Sequence, residues 1–217
     1  MTRPLLCLVT SRRRAAPGAT SFAEEQRALV AQIAAAAEAG VDLIQVREPD
    51  LEARDLCALV GECVIVTRGS ASRVVVNDRA DVALASGADG VHLRASGPPV
   101  ERVRALGPGG WLVGRSAHSR EELGLAATAD YIIFGTVFAT DSKPGVAGQG
   151  AAALAAAVGC VKVPVLAIGG LTLDRAETCA RAGAAGVAAI SLFLPGAPGA
   201  TRLRDVVQVL RQRFNSD

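Results

Sequence analysis

The chain has 217 residues, half of them apolar and only 3% aromatic, with a formal net charge of +2. So small a charge argues against a nucleic-acid or membrane-surface partner, and a core this poor in rings must be built from Val, Ile, Leu and Ala in close helix-on-sheet layers. No apolar stretch approaches the roughly 18 residues of a membrane span without an interrupting Gly, Pro or charge, and the first residues are strand-like rather than a cleavable leader. A soluble, cytoplasmic protein is expected. Cys7, Cys57, Cys63, Cys160 and Cys179 form no CxxC pair and no metal-ligand spacing, so they read as small buried thiols of a reducing compartment.

In chain order, apolar runs alternate with helical stretches. The first strand, near 5–10, runs into Arg12-Arg13-Arg14, read as a solvated loop whose other role would be to draw anionic substrates in. A helix near 21–39 leads to a strand near 42–47 that closes on Gln45-Val46-Arg47-Glu48, where Gln45 and Arg47 point the same way by alternation. The next helix is expected near 51–62, although Val64-Ile65-Val66-Thr67 looks strand-like. A strand near 73–77 ends in Asn77-Asp78, a helix spans 79–86, and the strand near 90–93 contains His92. A helix near 98–106 precedes a strand near 111–115 that runs into Ser116-Ala117-His118. Beyond a helix near 119–128, the strand near 131–135 opens a polar loop with Thr140, Ser142 and Lys143. A helix near 150–158, a strand near 164–168 ending in Gly169-Gly170, a helix near 173–182 and a strand near 186–190 ending at Ser191 complete the series. An amphipathic helix near 200–213 closes the chain.

One joint recurs: a helix tail, Gly or Ala, often Asp, then an apolar strand, as in Gly40-Val41-Asp42, Gly87-Ala88-Asp89, Ala129-Asp130 and Gly183-Ala184. Gly past a helix end takes the left-handed cap at no steric cost and lets the chain turn into the next strand. Apolar runs flanked by helices read as buried parallel strands. Right-handed β-α-β crossovers repeated about eight times make a single-domain (β/α)8 TIM barrel over 1–217 the expected α/β fold. An open doubly wound sheet is the alternative, but it expects a glycine-rich phosphate turn after the first strand, where Thr10-Ser11-Arg12-Arg13 stands.

In a barrel, all the polar strand tips meet at one rim, where such enzymes keep their active sites. Gly169-Gly170 before a helix, with Ile190-Ser191 at the next strand end, reads as a phosphate site, because glycine lets backbone N–H groups approach the oxygens. His118, leading into a loop beside the Ser116 hydroxyl, is the candidate for moving protons; His92 reads as a packed structural histidine. Lys143 would supply a point charge and Thr140 and Ser142 hydrogen bonds to an anionic ligand. Asp78 is the one carboxylate of its strand tip. An Ala- and Val-rich helix exterior could support a homodimer, though the same pattern packs helices onto a barrel.

Taken together, these residues resemble the thiamine phosphate synthase / TenI superfamily almost end to end. The resemblance is carried by Gln45-Val46-Arg47-Glu48, Val76-Asn77-Asp78-Arg79, Gly87-Ala88-Asp89-Gly90-Val91-His92-Leu93, Gly114-Arg115-Ser116-Ala117-His118-Ser119, Phe134-Gly135-Thr136-Val137-Phe138-Ala139-Thr140 and Ala167-Ile168-Gly169-Gly170. It implies one of two activities on this barrel. The synthase joins a pyrimidine methyl pyrophosphate to a thiazole phosphate and needs Mg²⁺. The TenI branch isomerises a carboxythiazole phosphate to its aromatic tautomer.

Two departures bear on the choice. The synthase pattern expects Gly-Gln-Glu-Asp after the fourth-strand histidine, and Arg94-Ala95-Ser96-Gly97 stands there, with Gly97 in place of the metal-holding aspartate; the lysine expected two residues after Arg47 is Pro49. The resemblance to TenI then implies a thiazole tautomerase with His118 as acid/base residue and a small phosphorylated thiazole as substrate. Gln45, Arg47, Asn77, Ser116, Thr140, Ser142, Lys143, Gly169, Gly170, Ile190 and Ser191 would bind it, with no metal required. The alternatives are a synthase with an altered Mg²⁺ site at Asp78, or a non-catalytic binder of thiazole or thiamine phosphate.

Overall fold

The computed structural model describes residues 3–140, 145, 147–194, 196 and 202–215. Eight parallel strands close into a barrel in sequence order. The first half contains β1 (Leu5–Val9), α1 (Arg12–Ala15), α2 (Phe22–Ala39), β2 (Leu43–Val46), α3 (Ala53–Thr67), β3 (Arg73–Asn77), α4 (Ala80–Ser86) and β4 (Gly90–Leu93). The second half contains α5 (Val100–Arg104), β5 (Leu112–Ala117), α6 (Arg120–Leu125), β6 (Tyr131–Gly135), α7 (Gly150–Cys160), β7 (Val165–Ile168), α8 (Leu173–Arg181) and β8 (Gly186–Ala189). A 3-10 turn, Ser191–Phe193, follows β8, and α9 (Leu203–Asn215) packs against α2 and α8. β1 pairs with β8 through Leu5↔Gly186 to Leu8↔Ala189, which closes the ring.

Strand alternation divides the apolar residues into two cores. Cys7, Val9, Leu43, Tyr131, Ile133, Leu166 and Ala188 fill the barrel interior. Their neighbours along the strands, such as Leu6, Leu8, Ile44, Val74 and Val76, meet the helices in the larger outer core. Aliphatic side chains supply most of both.

The recurring helix-to-strand joint has a second function besides turning the chain. Gly40 and Gly87 take φ of 88° and 70°, conformations that cost other residues a Cβ clash. The aspartate that follows then reaches across to the preceding strand. Asp42 Oδ2 accepts from Leu6 N at 2.8 Å, Asp89 Oδ2 from Val74 N at 2.8 Å, and Asp130 Oδ2 from Val113 N at 2.6 Å. Each of these carboxylates also meets an arginine: Arg3 at 3.0 Å, Arg73 at 2.8 Å and Arg104 at 3.0 Å. Three strand pairs are fastened in this way at the N-terminal rim, which leaves the opposite rim to the polar tips.

Two expectations need correction. The Val64-Ile65-Val66-Thr67 run is the last turn of α3, not strand-like chain: Val64 and Val66 pack on the outer core, Ile65 faces outward, and Thr67 Oγ1 donates to Cys63 O at 3.0 Å. β-Branched residues are poor helix formers by only tenths of a kcal/mol, and burying one face outweighs that. The basic run is not a solvated loop either. It forms α1, and Arg12 is buried. Of the cysteines, Cys7, Cys63 and Cys179 are buried, Cys57 is half-buried and Cys160 is exposed. Among the described residues, no helix is long and apolar enough to cross a membrane.

Candidate functional site

At the C-terminal rim, Gly169, Gly170, Ile190, Ser191 and Thr140 line one cavity of about 60 Å³. One water needs about 10–15 Å³ on this measure, so several oxygens fit. Gly169 and Gly170 have φ of 103° and 58°, and a Cβ on Gly170 would stand 2.2 Å from Ala139 O. Glycine is therefore required at position 170 both for its backbone angle and for the close approach of the chain between β6 and α7. That chain is tied to the β7 end by Val137 N donating to Ile168 O at 2.8 Å and Phe138 N to Gly169 O at 3.1 Å. Arg175 holds the other side, its Nη1 2.6 Å from Gly170 O and its guanidinium 5.0 Å from the centre of the Phe138 ring. Ser142 and Lys143 lie outside the described residues.

Inside the barrel, below the rim, His92 is fully enclosed. Its Nδ1 lies 3.1 Å from Tyr131 Oη and its Nε2 2.9 Å from Ser116 Oγ. Gly114 is the register partner of both His92 and Tyr131. A Cβ there would meet the Tyr131 ring at 2.1 Å, so the missing side chain is what lets the tyrosine stack on the imidazole. Burial pushes the His92 pKa down to about 3, and the ring is neutral. The imidazole beside the Ser116 hydroxyl is therefore His92, not His118 as the local spelling suggests.

His118 is the first residue past the end of β5, and its side chain is about half exposed. Glu122, one turn into α6, turns back toward it: Oε2 accepts from His118 N at 2.6 Å and lies 3.1 Å from Nδ1. A carboxylate on Nδ1 fixes the imidazole so that Nε2 is the nitrogen presented outward. Ser119 caps α6 by accepting from Glu122 N at 3.3 Å, which holds Glu122 in place.

Gln45 lies within β2, and Arg47 is the residue just past its end. Gln45 is buried and donates to Asn77 Oδ1 at 2.8 Å, while Arg47 is exposed at the rim. Asn77 Nδ2 in turn donates to Asp78 Oδ2 at 3.2 Å.

Several residues inside the conspicuous motifs turn out to be supports. Glu48 Oε1 accepts from Thr10 Oγ1 at 2.7 Å and from Arg12 N at 3.0 Å, and its Oε2 lies 3.1 Å from Arg12 Nη1. Arg12 also binds Asp50, whose pKa its guanidinium lowers to about 2, and its Nε stands 2.8 Å from Glu25, an ion pair without hydrogen-bond alignment. Arg115 is buried and donates to Ala95 O, Gly97 O and Pro98 O at 2.7, 2.9 and 2.8 Å, stapling the chain between β4 and α5. Sequence reasoning missed Arg12, Glu48 and Arg115 in these roles. The only hint lay in charged residues next to inward-facing positions.

The Mg²⁺ of the synthase branch can be tested against these side chains. Asp78 adopts φ of 59°, its Oδ1 accepts from Arg94 N at 2.8 Å, and its Oδ2 lies 3.3 Å from Arg94 Nε. Gly97 offers no carboxylate, and among the described residues no three His, Cys, Asp or Glu side chains cluster as a metal site. A single carboxylate already facing a guanidinium does not fit a divalent cation, which takes oxygen ligands and repels a fixed positive charge.

A larger cavity, about 220 Å³, opens beside Asp78 and Arg94 and is walled by Leu51, Leu56 and Pro49.

The chain is 41% identical to a thiamine-phosphate synthase of Roseiflexus sp. (strain RS-1), over 80% of this chain and 74% of that one. It is 44% identical to a thiamine-phosphate synthase of Anaeromyxobacter dehalogenans, over 77% of each. Its fold superimposes on a solved thiamine phosphate pyrophosphorylase from Pyrococcus furiosus with a TM-score of 0.77 and 31% identity, covering 97% of this chain and 95% of that one. The model of the thiamine monophosphate synthase family, TMP-TENI, matches residues 15–193, and the chain belongs to that family.

Proposed function

We propose that this chain is a thiazole tautomerase of the TenI type, which converts a carboxythiazole phosphate to its aromatic tautomer. The observation that carries this reading is Asp78. Expulsion of pyrophosphate needs metal and cationic side chains to take up the developing charge, and here the carboxylate that would hold the metal faces Arg94. An isomerisation expels nothing: one proton leaves one carbon and one is returned to another, so a positioned acid/base group suffices.

The cavity at Gly169, Gly170, Ile190 and Ser191 would take the substrate phosphate. His118, just past β5 and two strands round the rim from β7, would take and return the proton through Nε2 while Glu122 holds Nδ1. Gln45 and Asn77, linked to each other, and Ser116, held by His92, would supply neutral hydrogen bonds to the ring and its carboxylate.

A second reading, thiamine phosphate synthase, is favoured by the names of the relatives at 41% and 44% identity. The two separate in one assay. The protein is incubated with carboxythiazole phosphate alone, and in parallel with the pyrimidine methyl pyrophosphate and thiazole phosphate, with and without Mg²⁺. Aromatic thiazole formed equally well in chelator supports the tautomerase. Metal-dependent thiamine phosphate formation would establish the synthase instead.

A further inference from the structure

The three consecutive arginines of α1 have three different fates. Arg12 is buried against Glu48, Asp50 and Glu25, and Arg13 Nη2 lies 2.7 Å from Asp50 Oδ2. Arg14 has no ion pair among the described residues. Its side chain lines the cavity formed by Gly169, Gly170 and Ser191, and among the described residues of that wall it is the one charged group.

The placement is held from below. Arg12 N donates to Glu48 Oε1, and Arg14 N and Ala15 N both donate to Ser11 O at 3.0 Å, so the turn that carries Arg14 cannot swing without breaking the buried Arg12 network. A cation held over a glycine-lined cavity, with its neighbours' acids already paired, is complementary to an anion. A guanidinium offers phosphate oxygens two parallel N–H donors.

We infer that Arg14 is a phosphate-binding residue of this site and sets its preference for phosphorylated over unphosphorylated ligands. This inference rests on reading the glycine cavity as the phosphate pocket, but not on which reaction follows. In the isomerisation the substrate keeps its phosphate throughout, so Arg14 would hold it in both ground state and transition state. Losing Arg14 should therefore raise KM more than it lowers kcat.

Binding of inorganic phosphate, thiazole phosphate and the corresponding thiazole alcohol is measured by calorimetry on the wild type, Arg14→Ala, Arg14→Lys and the control Arg13→Ala. For Arg14→Ala, affinity for both phosphates should fall about ten-fold or more, in line with a charge-assisted hydrogen bond, while the alcohol binds as before. Arg14→Lys should recover part of the loss, and Arg13→Ala should match the wild type. Circular dichroism checks folding; should the alanine variant fold poorly, Arg14→Lys and Arg14→Gln carry the same comparison. Unchanged phosphate affinity in Arg14→Ala, an equal loss for the alcohol, or a wild type that binds neither phosphate would overturn the inference. Because these readouts need no turnover, they stand whether the assay above returns a tautomerase or a synthase.

Discussion

His92 Nε2 and Ser116 Oγ lie 2.9 Å apart inside the barrel, and Ser116 stands two residues before His118 in the chain. The buried histidine thus orients a hydroxyl just below the rim, while the half-exposed one meets the Glu122 carboxylate. Burial alone divides the two histidines.

That division has a pH signature. The His92 pKa is depressed from its ordinary 6.5 to about 3 by burial. Below about 6.5 the unfolded chain takes up a proton that the folded chain refuses. This contribution to stability is therefore complete above pH 6.5 and is lost as pH falls toward 3, at about 1.4 kcal/mol per unit. Chemical denaturation of wild type and His92→Gln from pH 7 to 4 should show a shallower decline in the variant. Parallel curves would mean that the imidazole is protonated in place.

The barrel was legible because burial alternation and glycine-ended helices are local signals: every expected strand exists, and most boundaries agree within one or two residues. The glycine pair and Ile190-Ser191 were legible for the same reason, since each needs only its own strand end to be understood. Pairings across the barrel were not. Glu48 reads as part of a site motif until Thr10 and Arg12 are brought to it from 36 or more residues away. Arg115 looks like one letter of a family motif until the three carbonyls of residues 95, 97 and 98 surround it. In both cases the deciding contact is long-range, and no periodicity announces it.

Glu48 should behave as one member of a buried ion pair. Its side chain and that of Arg12 are 4% and 6% exposed. Glu48→Gln leaves Arg12 paired with Asp50 and Glu25 but removes the charged acceptor of Thr10 Oγ1, Arg12 N and Arg12 Nη1, at a cost of about 1.5–3 kcal/mol. Glu48→Gln is therefore expected to lower the urea midpoint sharply with an unchanged m-value. Asp50→Asn should cost much less at neutral pH, because that carboxylate is 39% exposed and screened. The Asp50 contribution is present above its ordinary pKa near 3.8 and disappears as pH falls through about 2. Equal midpoints for the wild type and Glu48→Gln would show that the network contributes nothing net.

Gly170 ties the cavity to the chain that crosses it. With φ of 58° and Ala139 O at 2.2 Å from where a Cβ would sit, Gly170→Ala must either strain the turn, at about 1–2 kcal/mol for the left-handed angle alone, or push the chain between β6 and α7 outward. Phosphate affinity should fall in this variant even at temperatures where the protein remains folded. Gly124→Ala, at a site with open space around it, is the matched control. A Gly170→Ala protein that binds phosphate like the wild type would separate this cavity from the ligand.

His118 carries the chemistry of the proposal and little of the stability. Its side chain is 47% exposed and meets Glu122 at the surface, so His118→Asn should unfold with the wild-type midpoint. Isomerisation, however, should fall by about 10²–10⁴-fold, the range of a lost acid/base group. Glu122→Gln retains the imidazole and a group able to accept from it, and it removes the carboxylate that orients Nδ1. Its turnover should fall less than that of His118→Asn, with KM close to wild type, because the defect lies in proton transfer rather than in holding the phosphate. If His118→Asn turns over carboxythiazole phosphate at the wild-type rate, the proton passes through another group. The inward-facing neighbours Ser116 and Gln45 would then be the next residues to test.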